Sequence, residues 1–284
     1  MTDLATLVAA ELAQPVDPRV IAMASALAAK HGDASRAVMF YGSCLRDTEL
    51  DGLMLDFYLI VSDYPSAFEK PWMATANRLI PPNVFPFEHD GLMSKYAVLS
   101  EADFHRLNGP ETLNVSVWAR FAQPSRLVWA RDEAARGKAV AAVARAAPTL
   151  LGAAGCVPGE SILDWWRRAF ALTYSAELRA ERKGRGTSVV DSDPARYETF
   201  GNAAAPLVAA NGGRWGLRRV QGKTLSVLRL AKASATYAGG PDYIAWKINR
   251  HAGTNIALTD WQRKHPLLGA ISLLPKLLRS GAIR

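Results

Sequence analysis

The chain is poor in cysteine, with Cys44 and Cys156 alone among 284 residues. So few thiols rule out a disulfide-stapled scaffold, and their separation is not that of metal ligands, so both read as buried, reduced thiols of a cytoplasmic protein. Histidine is also sparse: the five residues, including His251 and His265, show no His-x3-His spacing. No Ser-His-Asp or Cys-His grouping emerges from the order of residues. A long hydrophobic run is missing as well. The longest apolar stretch, residues 139–157, is rich in Ala and Gly and is broken by Arg145 and Pro148, too weak to span a bilayer. The first residues carry Asp3 and Glu11 and no basic leader, which is not the pattern of a secretory signal. The expectation is a soluble or peripheral protein. An ordinary apolar fraction argues against dominant disorder.

Acidic residues are nearly missing from one region. Residues 214–284 hold thirteen Lys and Arg against Asp242 and Asp260, a net +11 within a whole-chain charge of +8, so the body carries −3. A basic quarter on a weakly acidic body points to a polyanionic partner, an anionic membrane or nucleic acid, or simply to solvated helix faces.

What is present is most informative at residues 37–61, AVMFYGSCLRDTELDGLMLDFYLIV. It reads as an apolar strand, a break at Gly42-Ser43, a polar loop, and a second apolar strand carrying Asp56. Such a layout suits a nucleoside triphosphate with a metal ion. Glycine lets backbone amides approach phosphate oxygens, serine adds a hydroxyl donor, and an acid on a buried strand can hold Mg2+ against the same phosphates. The position two beyond Asp56 is Tyr58, not a second acid. Asp47, Glu49 and Asp51 in the loop are either further ligands or solvated; Glu88, Asp90, Glu177, water or phosphate oxygens are the other sources for the metal shell.

Helices are expected at 4–12 and 20–31, the second with Pro18 near its start and Gly32 past its end. Strands are expected at 36–41 and 53–61. A helix over 65–79 should stop at Pro81-Pro82-Asn83, with extended chain at 84–87 and a strand at 96–99. Ser100 to Asp103 reads as a helix cap with acids in the first turn, and 127–129 as a further strand. From Asp132 the pattern is helical, at 133–147, 162–180, 195–210 and 224–235, with turns at Gly212-Gly213 and Gly239-Gly240-Pro241. The fold class is α+β, with a catalytic domain over 1–140, a mainly helical domain over 141–250 and a basic C-terminal region over 251–284.

Several segments, in order, resemble one family. Gly42-Ser43 followed by a strand acid is the layout of the polymerase-β-type nucleotidyltransferase fold. Met54 to Pro65 looks like the strand of the mitochondrial-type CDP-diacylglycerol synthases, phosphatidate cytidylyltransferases first named as translocator maintenance proteins. That family also has a single Asp here with an apolar residue two on. Asn83 to Phe87, then Gly91 and Ser94 to Ser100, is similar to its Val-Tyr-Phe segment and Lys-Tyr-Gly-Val strand. Trp118 to Pro124 resembles its Gly-Arg-Phe-x-Lys-Pro stretch, with Ala119 for Gly and Gln123 for Lys. Leu172 to Arg179 looks like its Leu-Ser-Tyr-x-Gly-Asp-x-Arg motif. The resemblance covers residues 37–180, with a looser echo at 232–247.

It implies a nucleotidyltransferase domain, a winged-helix-like domain and a membrane-associating C-terminal region, at the inner face of the membrane. The implied reaction takes CTP and phosphatidic acid to CDP-diacylglycerol and pyrophosphate with Mg2+; nucleic acid is not the expected partner. The candidate residues are Asp56 and Lys95 for catalysis; Tyr41, Gly42, Ser43 and Tyr58 for the nucleotide; Arg120, Tyr174, Arg179 and Lys232 for phosphate or lipid; and Asp56 with Glu177 for the metal. Several keep a plainer alternative. Asp56 could be a strand-edge acid paired with an Arg, Lys95 could be a snorkelling surface lysine, and Arg120 could stack on Trp118 and Phe121. Glu177 could form an interdomain ion pair. Tyr174 and Glu177 would share a helix face from which Arg179 points away. The acceptor phosphate is already ionised near neutral pH, so no general base is nominated.

Leu267, Leu268, Ile271, Leu274 and Leu278 recur at helical spacing among Lys276, Arg279 and Arg284, with a kink expected at Pro275. Such a strip would lie in a membrane interface, each cation worth about 1 kcal/mol at an anionic surface, or would dock on the body. Two other functions keep the same fold: nucleotidyl transfer to a soluble small molecule or protein, and a decayed site on a nucleic-acid-binding protein.

Overall fold

The computed structural model describes residues 3–45, 50, 52–177, 189–209, 213–236, 257–264, 269 and 272. Helices α1 (Leu4–Leu12) and α2 (Pro18–Lys30) precede strand β1 (Ser35–Tyr41). Asp17 caps α2 by accepting from the Arg19 amide, with Pro18 at the first helical position, where its missing N–H costs nothing. Strand β2 (Met54–Val61) pairs antiparallel with β1.

The expected helix over 65–79 is two helices, α3 (Tyr64–Ala67) and α4 (Pro71–Leu79). Pro71 crowds Lys70 out of helical conformation, and Lys70 sits at φ −94°, ψ 115°. Strands β3 (Asn83–His89) and β4 (Leu92–Ser100) meet at Asp90-Gly91, both at positive φ, as the two-residue hairpin turn of matching twist requires. Helix α5 (Glu101–Leu107) is capped by Ser100, whose hydroxyl accepts from the Asp103 amide at 3.2 Å. The short helix α6 (Trp118–Phe121) and strand β5 (Ser125–Ala130) complete the sheet, of order β3-β4-β2-β1-β5 with β2 and β4 parallel.

The expected helix over 133–147 is also two, α7 (Glu133–Ala144) and α8 (Ala146–Ala154). Pro148 removes an amide and its ring opposes the Ala144 carbonyl, which ends α7 there. Helices α9 (Ile162–Ala176), α10 (Pro194–Ala204), α11 (Trp215–Thr236) and α12 (Asp260–Lys264) follow, and no strand occurs among the described residues after Ala130.

Strand alternation divides the interior. Val38, Phe40, Phe57, Leu59 and Val98 face one side and bury Val20, Met23 and Leu27 of α2. Ala37, Met39, Tyr58, Ile60, Ala97 and Leu99 face the other and join a cluster running from Leu4 through Trp118, Leu150, Trp166 and Phe170 to Ala204. Residues on both sides of position 140 therefore share one core. A buried ion pair ties α1 to α10 within it: Arg196 donates to both oxygens of Glu11, with side chains 8% and 10% exposed. Cys44 is buried as expected, whereas Cys156, in the loop after α8, is exposed.

Glycine fixes one close approach. A Cβ on Gly222 would stand 2.2 Å from the Ala176 carbonyl oxygen, so its absence lets α11 lie against the end of α9. No helix among the described residues is long and apolar enough to cross a membrane.

Candidate functional site

Tyr41, Asp56 and Lys95 lie in register across β1, β2 and β4, on the face turned toward the helical half. Lys95 does not precede a strand starting at residue 96. The strand begins at Leu92, so the lysine sits inside it, and its Nζ lies 3.0 Å from Asp56 Oδ1. The contact is an ion pair without an aligned hydrogen bond: Oδ1 is buried and makes none. The partner of the strand acid is thus a lysine on the neighbouring strand, not an arginine.

Gly42 follows Tyr41 at φ +101°, a conformation rare for any residue with a Cβ. A Cβ placed there would stand 3.3 Å from Asp56 Oδ2. The bend and the carboxylate are therefore adjacent. The chain then turns tightly, with the Leu45 amide donating to the Gly42 carbonyl at 3.2 Å, and residues 43–45 form a single 3-10 turn. The Ser43 side chain and the loop acids Asp47, Glu49 and Asp51 lie outside the described residues.

Beside this row is a cavity of about 140 Å3 lined by Tyr41, Tyr58, Lys95, Ser116, Arg120 and Arg229 with apolar neighbours from β2, β3 and β4. Tyr58 is buried and packs its ring 5.3 Å from Tyr41 and 5.2 Å from Phe121. Arg120 is presented by α6, whose Trp118, Ala119 and Phe121 are buried in the core and leave it facing the cavity. Its Nη1 donates to the Ser116 carbonyl. The cation stacked near Trp118 is instead Arg218, 5.7 Å from the ring.

Burial works against the Arg120 charge, but Tyr58, Glu177, Tyr41 and Asp56 more than compensate and hold its pKa above the ordinary value. Burial also pushes the Tyr41 phenol well up, aided by Asp56 and Tyr58, so Tyr41 is neutral.

Sequence reasoning missed Arg229. It comes from α11, and its Nε donates to the Pro81 carbonyl at 2.8 Å while Nη1 lies 3.5 Å from Glu177 Oε1. Burial lowers its pKa and Arg120 adds to the effect, against Glu177 and Tyr58. Nothing in the local pattern marks this arginine; it reaches the site only because Gly222 seats α11 against α9. One turn on, Lys232 donates to the Ile80 carbonyl and, at 2.9 Å, to that of Pro82. Burial, then repulsion from Arg229, brings its pKa down to about 7. The carbonyls these cations grasp are fixed in turn, because Asn77 of α4 bonds Val98 O at 2.9 Å and accepts from the Asn83 amide.

Glu177 ends α9 in extended conformation at φ −110°, ψ 155°, so it shares no helix face with Tyr174. Its buried carboxylate meets Arg229, which favours the ion-pair alternative, while Tyr174 packs against the main core. Arg179, His251, His265 and the strip residues Leu267, Leu268, Ile271, Leu274 and Leu278 lie outside the described residues.

Among the described residues no group of three or more His, Cys, Asp or Glu is placed to hold a metal. Asp56 nevertheless suits Mg2+, which is commonly bound by one or two carboxylates with substrate phosphates supplying further oxygens. A carboxylate offers hard oxygens of that kind, and at Asp56 the Oδ1 atom is buried and ion-paired with Lys95 at 3.0 Å, which leaves Oδ2 as the oxygen that could serve.

The arrangement can therefore accept phosphates. Lys95, Arg120 and Arg229 stand against Asp56 and Glu177, leaving positive charge in excess. No known family model matches the chain, and no curated protein matches it.

Proposed function

We propose that the protein is a phosphatidate cytidylyltransferase of nucleotidyltransferase fold, forming CDP-diacylglycerol and pyrophosphate from CTP and phosphatidic acid at a membrane surface. The observation that carries this reading is the Gly42 bend packed against the Asp56 carboxylate at a cavity lined by Lys95, Arg120 and Arg229. Both reactants are polyanions, and their encounter needs neutralised charge and aligned phosphates more than a strong base.

In the reaction, an oxygen of the acceptor phosphate attacks the α-phosphorus of CTP. The new P–O bond forms as the bond to the β-phosphate breaks, and pyrophosphate carries away the electron pair. Main-chain amides of the bend would meet phosphate oxygens, the missing Cβ of Gly42 leaving room for the Asp56 carboxylate beside them. Lys95 offsets phosphate charge and holds the Asp56 carboxylate in place. Arg120, kept charged by its surroundings, binds a phosphate through its planar fork. Tyr41 and Tyr58, neutral or buried, wall the cavity against water on the β1–β2 side. Asp56 would hold Mg2+, which when bound draws charge from the pyrophosphate leaving group.

The test is pyrophosphate release from CTP and from ATP, with and without phosphatidic acid vesicles. Turnover should require CTP, phosphatidate and Mg2+ together, and Asp56→Asn should lower it by about a hundredfold or more while the protein still melts cooperatively. Full activity in that variant, or turnover indifferent to phosphatidate, would refute the assignment.

A further inference from the structure

Arg229 is held by two of its nitrogens, Nε on the Pro81 carbonyl at 2.8 Å and Nη1 toward Glu177 at 3.5 Å. The third, Nη2, is buried and has no hydrogen-bond acceptor, and the side chain lines the same cavity as Arg120. A buried guanidinium N–H without an acceptor is costly, and so is placing two arginines about one small cavity. Among the described residues Glu177 is the carboxylate that acts on both guanidiniums, with Asp56 acting on Arg120 as well. A compact anion with several oxygens would give Nη2 an acceptor and balance the second guanidinium.

We propose that Arg120 and Arg229 form a subsite for a phosphomonoester dianion, the attacking phosphate of the acceptor. The assignment of that phosphate to the acceptor rests on the cytidylyltransferase reading; the existence of the subsite does not. The donor triphosphate belongs at the Tyr41–Asp56–Lys95 row, where Gly42 bends against the Asp56 carboxylate. The arginines arrive from α6 and α11; Arg120 also acts on Tyr41 and Asp56 of that row, whereas Arg229 is held by Pro81 and Glu177 and is the one that marks the acceptor phosphate. The cavity has room for a phosphate group and water but not for acyl chains, so recognition falls on the headgroup. A monoester offers the dianion and three terminal oxygens that two guanidiniums can share, and a diester does not.

The test measures binding by calorimetry, without CTP, to dihexanoyl phosphatidic acid, dihexanoyl phosphatidylglycerol and inorganic phosphate, and separately to CTP. The wild-type protein should bind the phosphatidic acid and, more weakly, inorganic phosphate, but not the diester. Arg229→Gln should weaken phosphatidic acid binding about 10- to 100-fold and Arg229→Lys less, with CTP affinity within twofold of wild type. In turnover the same variants should raise the KM for phosphatidic acid and leave that for CTP. Arg229 also anchors Pro81, so if Arg229→Gln fails to fold, Arg229→Lys, which keeps the charge, carries the test. Equal loss of CTP and phosphatidic acid binding, equal binding of the diester, or no phosphomonoester binding by the wild type would overturn the proposal. Phosphomonoester binding that depends on Arg229 in a protein with no cytidylyl transfer would keep the subsite and refute the enzymatic reading.

Discussion

Replacing Gly42 by alanine tests the geometry on which the site depends. The residue sits at φ +101°, beyond the left-handed helical basin, where an L side chain costs roughly 1–3 kcal/mol. The added methyl would also stand 3.3 Å from Asp56 Oδ2, too close for comfort, and that carboxylate is tethered to Lys95 at 3.0 Å. Either the bend opens or the carboxylate moves. Urea denaturation should therefore show Gly42→Ala less stable by about 1–3 kcal/mol. The two contributions can be separated in an Asp56→Ala background. There the contact is gone and only the backbone cost remains, so the same substitution should cost measurably less. In the assay of CTP turnover, a shifted carboxylate and obstructed amides should lower kcat/KM by about tenfold or more. Wild-type stability and activity in Gly42→Ala would refute both the placement of Asp56 against the bend and its part in binding phosphate.

Glu11→Ala should destabilise the protein by about 3–5 kcal/mol, because it strands the buried Arg196 guanidinium; chemical denaturation reads this directly, and a loss below about 1 kcal/mol would mean α1 and α10 are not joined as described. Lys232 has a pKa brought down from its ordinary value to about 7 by burial and by Arg229, so between about pH 7 and the ordinary lysine range the unfolded chain holds a proton that the folded protein has released. Stability should therefore rise with pH across that window, by at most about 1.4 kcal/mol per unit, and Lys232→Met should flatten the rise. Removal of residues 267–284 should lower sedimentation with anionic vesicles more than it lowers turnover on detergent-dispersed phosphatidate; equal losses would make that tail structural and not membrane-binding.

Local chemistry made much of the architecture legible before any coordinates. Asp17-Pro18 and Ser100 to Asp103 start helices because short polar side chains satisfy amides within their own turn. The apolar runs around Met39 and Leu59 form strands for an equally local reason, branched and aromatic side chains packed on a pleat. Gly42 and Asp56 could be singled out together because a glycine-serine break and a strand acid are short-range signals. The prolines at 71 and 148 were visible too, but whether each would end a helix depended on what the broken ends could pack against.

Other features exist only in three dimensions. Lys95 meets Asp56 because β2 and β4 pair in parallel, and no spacing along the chain encodes that register. Arg229 enters the site because Gly222 allows α11 to lie on the end of α9, and Glu177 turns to meet it because the helix stops at Ala176. The sequence alone determined the local pieces, strands, caps and the glycine bend, since each is set by residues within a turn or two. Which charges face one another across the cavity was decided by packing, because burial leaves long cationic side chains few places to satisfy their donors, and those places come from distant segments of the chain.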